Sequence, residues 1–123
     1  MTTIGFSRFG GPEVLELRDL PATPPGPGQV QVRVAAVPIQ PVDLAARSGT
    51  LGYLLPERDF YPLGWDAAGT VEAVGDGVAG LAPGDAVLVL NHWFDTMNGT
   101  QATLTTVDAE GVVPAPAGVG EIE

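Results

Sequence analysis

The chain has 123 residues, 45% of them hydrophobic, and sets 15 acidic side chains against 5 basic ones for a formal net charge of −10. That length holds one domain with a real core, and the acidic balance excludes a nucleic-acid or anionic-membrane surface, both of which need basic patches. The absence of cysteine excludes disulfides, thiol catalysis and thiolate metal sites, and a single histidine, His92, excludes a multi-histidine metal site.

Ile4 to Phe9 reads as a first strand ended by Gly10-Gly11-Pro12. The opening residues MTTIGFSRFGG also lack the apolar core and cleavage site of a secretory signal, and no apolar run reaches membrane-span length. A cytoplasmic location is therefore expected. Val14, Leu15 and Leu17, interleaved with Glu13, Glu16 and Arg18, form a second strand that should pair with the first as a hairpin. Residues 21–28, PATPPGPG, make a connector that can be neither helix nor central strand.

Gln29 to Val34 alternates polar and apolar residues strictly and predicts a strand with Val30, Val32 and Val34 on one face. Pro41 to Arg47 predicts a short helix with proline at its first position, ended by Gly49. Residues 50–61, TLGYLLPERDFY, form a loop rich in aromatic and bulky apolar groups, which either packs down or lines a cleft.

Thr70 to Val74 and Ala86 to Leu90 then supply two extended runs, separated by glycines and a Pro83-Gly84-Asp85 corner. Between them, Gly75-Asp76-Gly77-Val78-Ala79-Gly80 fits the G-x-G-x-x-G spacing of dinucleotide-binding turns. That motif works only when its last glycine opens a helix, and Pro83-Gly84 followed by AVLVL predicts a turn and a strand. These glycines are read as turn residues. A second long loop, 91–101, carries His92, Trp93, Phe94 and Asp95; Thr103 to Val107 and Val112 to Pro114 are further strands, and residues 117–123 form a tail expected to fray. Six or so short strands with one or two short helices predict a mainly β, irregular antiparallel barrel.

Several segments occur in one order: RFGGPEVLEL, PPGPGQVQVRVAA, QPVDLAARSG, PLGWDAAGTVEAVGDGV and LAPGDAV. Over about Phe9 to Pro116 the chain resembles the GroES-like catalytic domain of the medium-chain dehydrogenase/reductases, and is most similar to their zinc-free quinone oxidoreductase branch. The resemblance implies a GroES-like barrel spanning 1–123. It also implies a nicotinamide cofactor, NADPH, carried on a following Rossmann domain that this sequence does not contain, so hydride transfer is expected to need a partner domain. Zinc-dependent relatives place cysteine near Gln40 and His-Glu where this chain has Trp65-Asp66, and build a second zinc lobe from four cysteines. Neither set is present here, so no zinc is expected. The zinc-free branch commonly has asparagine at the Gln40 position, and Tyr53 falls near a tyrosine that lines the substrate cleft.

The candidate catalytic residues are accordingly Gln40, Tyr53 and His92, and the candidate substrate-binding residues are Asp43, Trp65 and Trp93. Gln40 either donates a hydrogen bond to a carbonyl in the cleft or satisfies local backbone. Asp43 opposes the dipole of the helix beginning at Pro41, or takes part in proton transfer. Tyr53 is a cleft phenol or a packed aromatic; Trp65 is a wall against a ring substrate or core. His92 shuttles protons or sits at the surface.

Two functions are compatible with these residues. One is the substrate side of a zinc-independent NAD(P)H-dependent reductase acting on an apolar quinone or enone. The other is a stand-alone barrel serving as a non-redox binding module or cofactor-free catalyst, which keeps an apolar cleft without nicotinamide. An uncovered strand edge and apolar face also predict self-association.

Overall fold

A computed structural model of the protein describes residues 1–118, so most of the expected frayed tail lies outside the described residues. In chain order the strands are β1 (Thr2–Phe6), β2 (Leu15–Asp19) and β3 (Gln29–Ala36), then helix α1 (Pro41–Ser48), β4 (Tyr61–Pro62), β5 (Asp66–Val74) and β6 (Ala86–Leu90), helix α2 (Trp93–Thr96), β7 (Leu104–Asp108) and β8 (Val112–Pro114). Every strand pairing is antiparallel. Three strands form one sheet in the order β2-β1-β4, and five form another in the order β7-β3-β5-β6-β8. Backbone bonds from Ile4 N–H to Gln101 O (2.9 Å) and Thr103 N–H to Thr2 O (2.9 Å) stitch β1 to the segment entering β7. The result is the irregular antiparallel barrel expected from the strand pattern.

The larger core is built almost wholly from valine. Val30 and Val32 of β3, Ala67 and Val71 of β5, Val87 and Val89 of β6, Val107 of β7 and Val112 of β8 pack together and are buried. Branching at Cβ suits these residues to the pleated surface, and each buried valine contributes roughly 1.5–3 kcal/mol. The register holds them in line, with Val30 opposite both Val74 and Val107. Gln31, on the other face of β3, is buried too, because the proline connector folds over it and Thr23 O accepts bonds from Gln31 Nε2 (3.1 Å) and Thr106 Oγ1 (2.5 Å).

A second core joins the small sheet to both helices through Phe6, Val14, Ala46, Tyr61, Leu63, Trp93 and Met97. It accounts for the elements that local pattern did not reveal. β1 ends at Phe6, short of the expected Phe9, because Phe6 already faces Leu15 across the hairpin and Gly10 then bonds to the end of α1, its N–H reaching Arg47 O (2.9 Å). The two expected loops contain order of their own: a 3-10 turn at Gly52–Leu54 and β4 in the first, α2 in the second.

The glycine run 75–80 forms the bend between β5 and β6, and residues 86–90 are strand. A Cβ at Gly75 would strike the Gly26 carbonyl, while Gly77 and Gly80 have φ of 81° and 80°. Tight packing and left-handed backbone therefore explain these glycines. Among the described residues no helix is long and apolar enough to cross a membrane.

Candidate functional site

The N-terminus of α1 fixes the position of Gln40. Pro41 has no N–H to bond and its ring presets the first helical turn. Asp43, three residues past the cap, reaches back so that its Oδ2 accepts the Gln40 backbone N–H (2.9 Å), the return half of a capping box. Gly49 closes the helix with φ 93°. At the far end of its side chain, Gln40 Nε2 donates to Oδ2 of Asp66, the first residue of β5 (2.9 Å). Gln40 is therefore held at both its backbone and its amide, and among the described residues one Nε2–H and Oε1 have no partner.

Asp43 has only 2% of its surface exposed, and among the described residues its Oδ1 has no hydrogen-bond partner. Burial raises its carboxyl above the ordinary value of 3.8; the backbone amides of Gln40 and Gly64 pull it down, and the neighbouring Asp66 pushes it up.

Beside Asp66, the half-buried Trp65 ring meets Phe94 edge-on (centroids 5.5 Å apart) and lies 6.5 Å from Trp93. Trp93 is fully buried and donates its indole N–H to Pro62 O (2.6 Å), so it backs Trp65 from within the core. The start of β5 is tied down by Thr100 Oγ1 donating to Asp66 O (2.7 Å) and by Asn91 N–H donating to Trp65 O (2.7 Å). Asn91 is buried, its amide donating to Asn98 O and accepting from Thr96 Oγ1.

The fold thus brings Gln40 and Asp43 to Asp66, while Trp65, the residue before Asp66, packs its ring with Trp93 and Phe94. It sets the other two candidates apart. Tyr53 sits on the Gly52–Leu54 turn, 83% exposed. His92 is exposed at the start of α2, where its carbonyl accepts the Asp95 and Thr96 N–H groups, and its side chain borders a shallow crevice with Asp95, Asp108 and Glu110. Two residues at the centre, Asp66 and Phe94, were not singled out from sequence. The position of Asp66 beside Trp65, where zinc-dependent relatives carry a ligand, was the available signal.

The groups gathered here are one amide (Gln40) and two carboxylates (Asp66 and the buried Asp43), short of the three or four thiolate, imidazole or carboxylate ligands that a zinc ion takes. Among the described residues no three His, Cys, Asp or Glu side chains are grouped to hold a metal. The Gly75–Gly80 bend, followed by a strand, does not fit a pyrophosphate that needs a helix N-terminus. What the arrangement offers is an N–H donor fixed on Asp66 and, from the preceding residue, an aromatic cluster of Trp65, Trp93 and Phe94.

Residues 26–117 match the alcohol dehydrogenase GroES-like domain. The chain is 44% identical over 117 residues to a quinone oxidoreductase of Pseudomonas aeruginosa and 37% identical over 117 residues to one of Rattus norvegicus, in each case covering 94% of this chain and 34% of the relative. Its fold superposes on the Escherichia coli quinone oxidoreductase complexed with NADPH with a TM-score of 0.84 at 29% identity, covering 98% of this chain and 35% of that one. The chain spans about a third of the length of these relatives.

Proposed function

The chain belongs to the alcohol dehydrogenase GroES-like domain family of the medium-chain dehydrogenase/reductases, and from that premise we propose that it is the substrate side of a zinc-independent, NAD(P)H-dependent quinone or enone oxidoreductase. The observation that supports this reading is the Gln40 amide, pinned to Asp66 and so to the strand start that also carries Trp65. A nicotinamide held on a Rossmann domain supplies the hydride. This chain's own work is to bind the acceptor and orient its carbonyl.

In this reading the free Gln40 N–H polarises the acceptor carbonyl, the work a metal would do as a Lewis acid. It donates to a carbonyl oxygen and strengthens its hold as charge develops there, since donors aimed at a developing oxyanion are worth about 10²–10³ in kcat. Trp65 and Phe94 supply the apolar wall for a flat ring. Asp43 holds the backbone N–H of Gln40, and Trp93 packs behind Trp65. Tyr53 and His92 are both exposed, and their proposed roles as phenol donor and proton shuttle require a docked domain to bring the reactant to them. The second reading, a non-redox binding module, draws on the same aromatic wall, which is formed by this chain alone.

Titrating 1,4-naphthoquinone into the chain should quench tryptophan emission, and Trp65→Phe should remove most of the quench, since Trp93 is fully buried. NADPH oxidation should appear only when a relative's Rossmann domain is added, and Gln40→Leu should then lower kcat about 100-fold. Naphthoquinone binding without any turnover in the mixture would favour the binding module. Turnover by the chain alone would show that the cofactor site has been misplaced.

A further inference from the structure

We propose that the groove between the end of β2 and residues 58–62 is a binding site for a small aromatic carboxylate, built from Arg18, Arg58 and Phe60. It shares no side chain with the Gln40 site and stands apart from the functional reading above.

The groove holds about 370 Å3 and is lined by Arg18, Leu20, Arg58, Asp59, Phe60 and Pro62. That volume suits a small molecule, whereas the crevice beside His92 holds about 70 Å3, room for little more than water. Leu20, Pro62 and the buried Phe60 supply its apolar lining.

The chain has 5 basic side chains, all of them arginine, and two of them meet here. Both are held in place by the fold. Arg18 lies over the Phe60 ring, its Cζ 4.3 Å from the centroid, and donates through Nε to Glu16 Oε1 (2.7 Å). Arg58 donates its backbone N–H to Tyr61 Oη (3.1 Å) and its Nη1 to Met97 O (3.3 Å). Among the described residues no carboxylate pairs with the Arg58 guanidinium. A guanidinium anchored through one nitrogen still presents donors at the others, in the planar fork that a carboxylate matches.

The surrounding charges narrow the ligand. Asp59 lines the same groove and Glu16 already holds Arg18, so the two arginines are nearly balanced. A doubly charged phosphate would meet those anions and the net charge of −10. A flat monoanion keeps the contact with Arg58 and draws the rest of its affinity from the apolar lining.

The probes are 2-naphthoate and 2-naphthamide, one ring system with and without the charge, titrated into the chain and followed by amide and arginine side-chain chemical shifts. Naphthoate should move the signals of Arg18, Leu20, Arg58 and Phe60. It should bind about threefold to fivefold more tightly than the naphthamide, the scale of a partly exposed ion pair. Arg58→Gln should abolish that margin. Asp59→Asn alters only an exposed side chain, so folding is not at stake. It removes the anion that shares the groove and should tighten naphthoate about twofold while leaving the naphthamide unchanged.

Equal affinity for the two probes, a margin that survives Arg58→Gln, or no gain in Asp59→Asn overturns the inference. Displacement of naphthoate by 1,4-naphthoquinone, or shifts confined to Trp65, Trp93 and Phe94, places the ring in the aromatic cluster and overturns it too, leaving the functional reading standing. Naphthoate binding as described, with no binding of naphthoquinone, supports this site while the functional reading falls.

Discussion

Asp43 is buried, ionisable and incompletely partnered, a combination with a consequence for stability. Burial favours its neutral form and raises its folded value above the unfolded 3.8, against the opposing pull of the Gln40 and Gly64 amides. The folded chain therefore keeps this proton to higher pH than the unfolded chain does. Its contribution is complete below the unfolded value and is lost as pH rises through the folded one. Asp43→Asn keeps an oxygen to accept the Gln40 N–H but cannot titrate. The melting temperature of the wild type minus that of Asp43→Asn should accordingly rise as pH is lowered from about 7 towards about 4. A difference that is flat, or that grows towards neutral pH, would show the carboxyl to be solvated or fully partnered. Asp43 and Gln40 were legible in the sequence because Gln-Pro-x-Asp is a helix start whatever surrounds it. Asp66 was not, because its role comes from a contact 26 residues distant in the chain, which no local pattern encodes.

At the scale of elements, β5 carries the most consequence, lying between β3 and β6 and delivering Asp66 to the site. Its residue Gly69 faces Val34 on one side and Val87 on the other, and a Cβ there would collide with the Arg33 carbonyl oxygen and approach Val32 Cγ1 to 3.0 Å. The obstacle is the backbone of a central strand, which cannot swing aside as a side chain would. Gly69→Ala should cost about 1–3 kcal/mol, the range for overpacking a core, and lower the urea midpoint with little change in slope. A variant as stable as the wild type would mean that the β3–β5 pairing has more slack than its register suggests. Elements with their own periodicity or punctuation were readable: β3 from alternation, α1 from its proline and glycine, β6 and β8 from their apolar runs. The two-residue β4, the four-residue α2 and the end of β1 were not. They exist because Phe6, Tyr61 and Trp93 meet in the second core, and such short pieces have no pattern long enough to be seen.

Across the whole molecule, the two cores leave an apolar strip facing outward. Val87 and Val89 turn into the valine core, so Leu88 and Leu90 of β6 turn away from it, and Val113 of β8 stands opposite Leu88 on the same exposed face. β8 is also the edge of its sheet, though Pro114 ends it after three residues and limits pairing along that edge. Self-association is therefore expected through the face, by side chains, more than through the edge. The net charge of −10 opposes it, and because that repulsion is screened by ions the association should strengthen as salt is added and the Debye length falls below about 10 Å. Leu88→Glu places a further anion in the middle of the strip and should weaken the dimer at least tenfold, about 1.4 kcal/mol. Sedimentation velocity across a concentration series at low and high salt measures both effects. A strict monomer at high concentration and high salt would show that the strip is too small to hold two copies together, and association that weakens with salt would place the contact among charged groups.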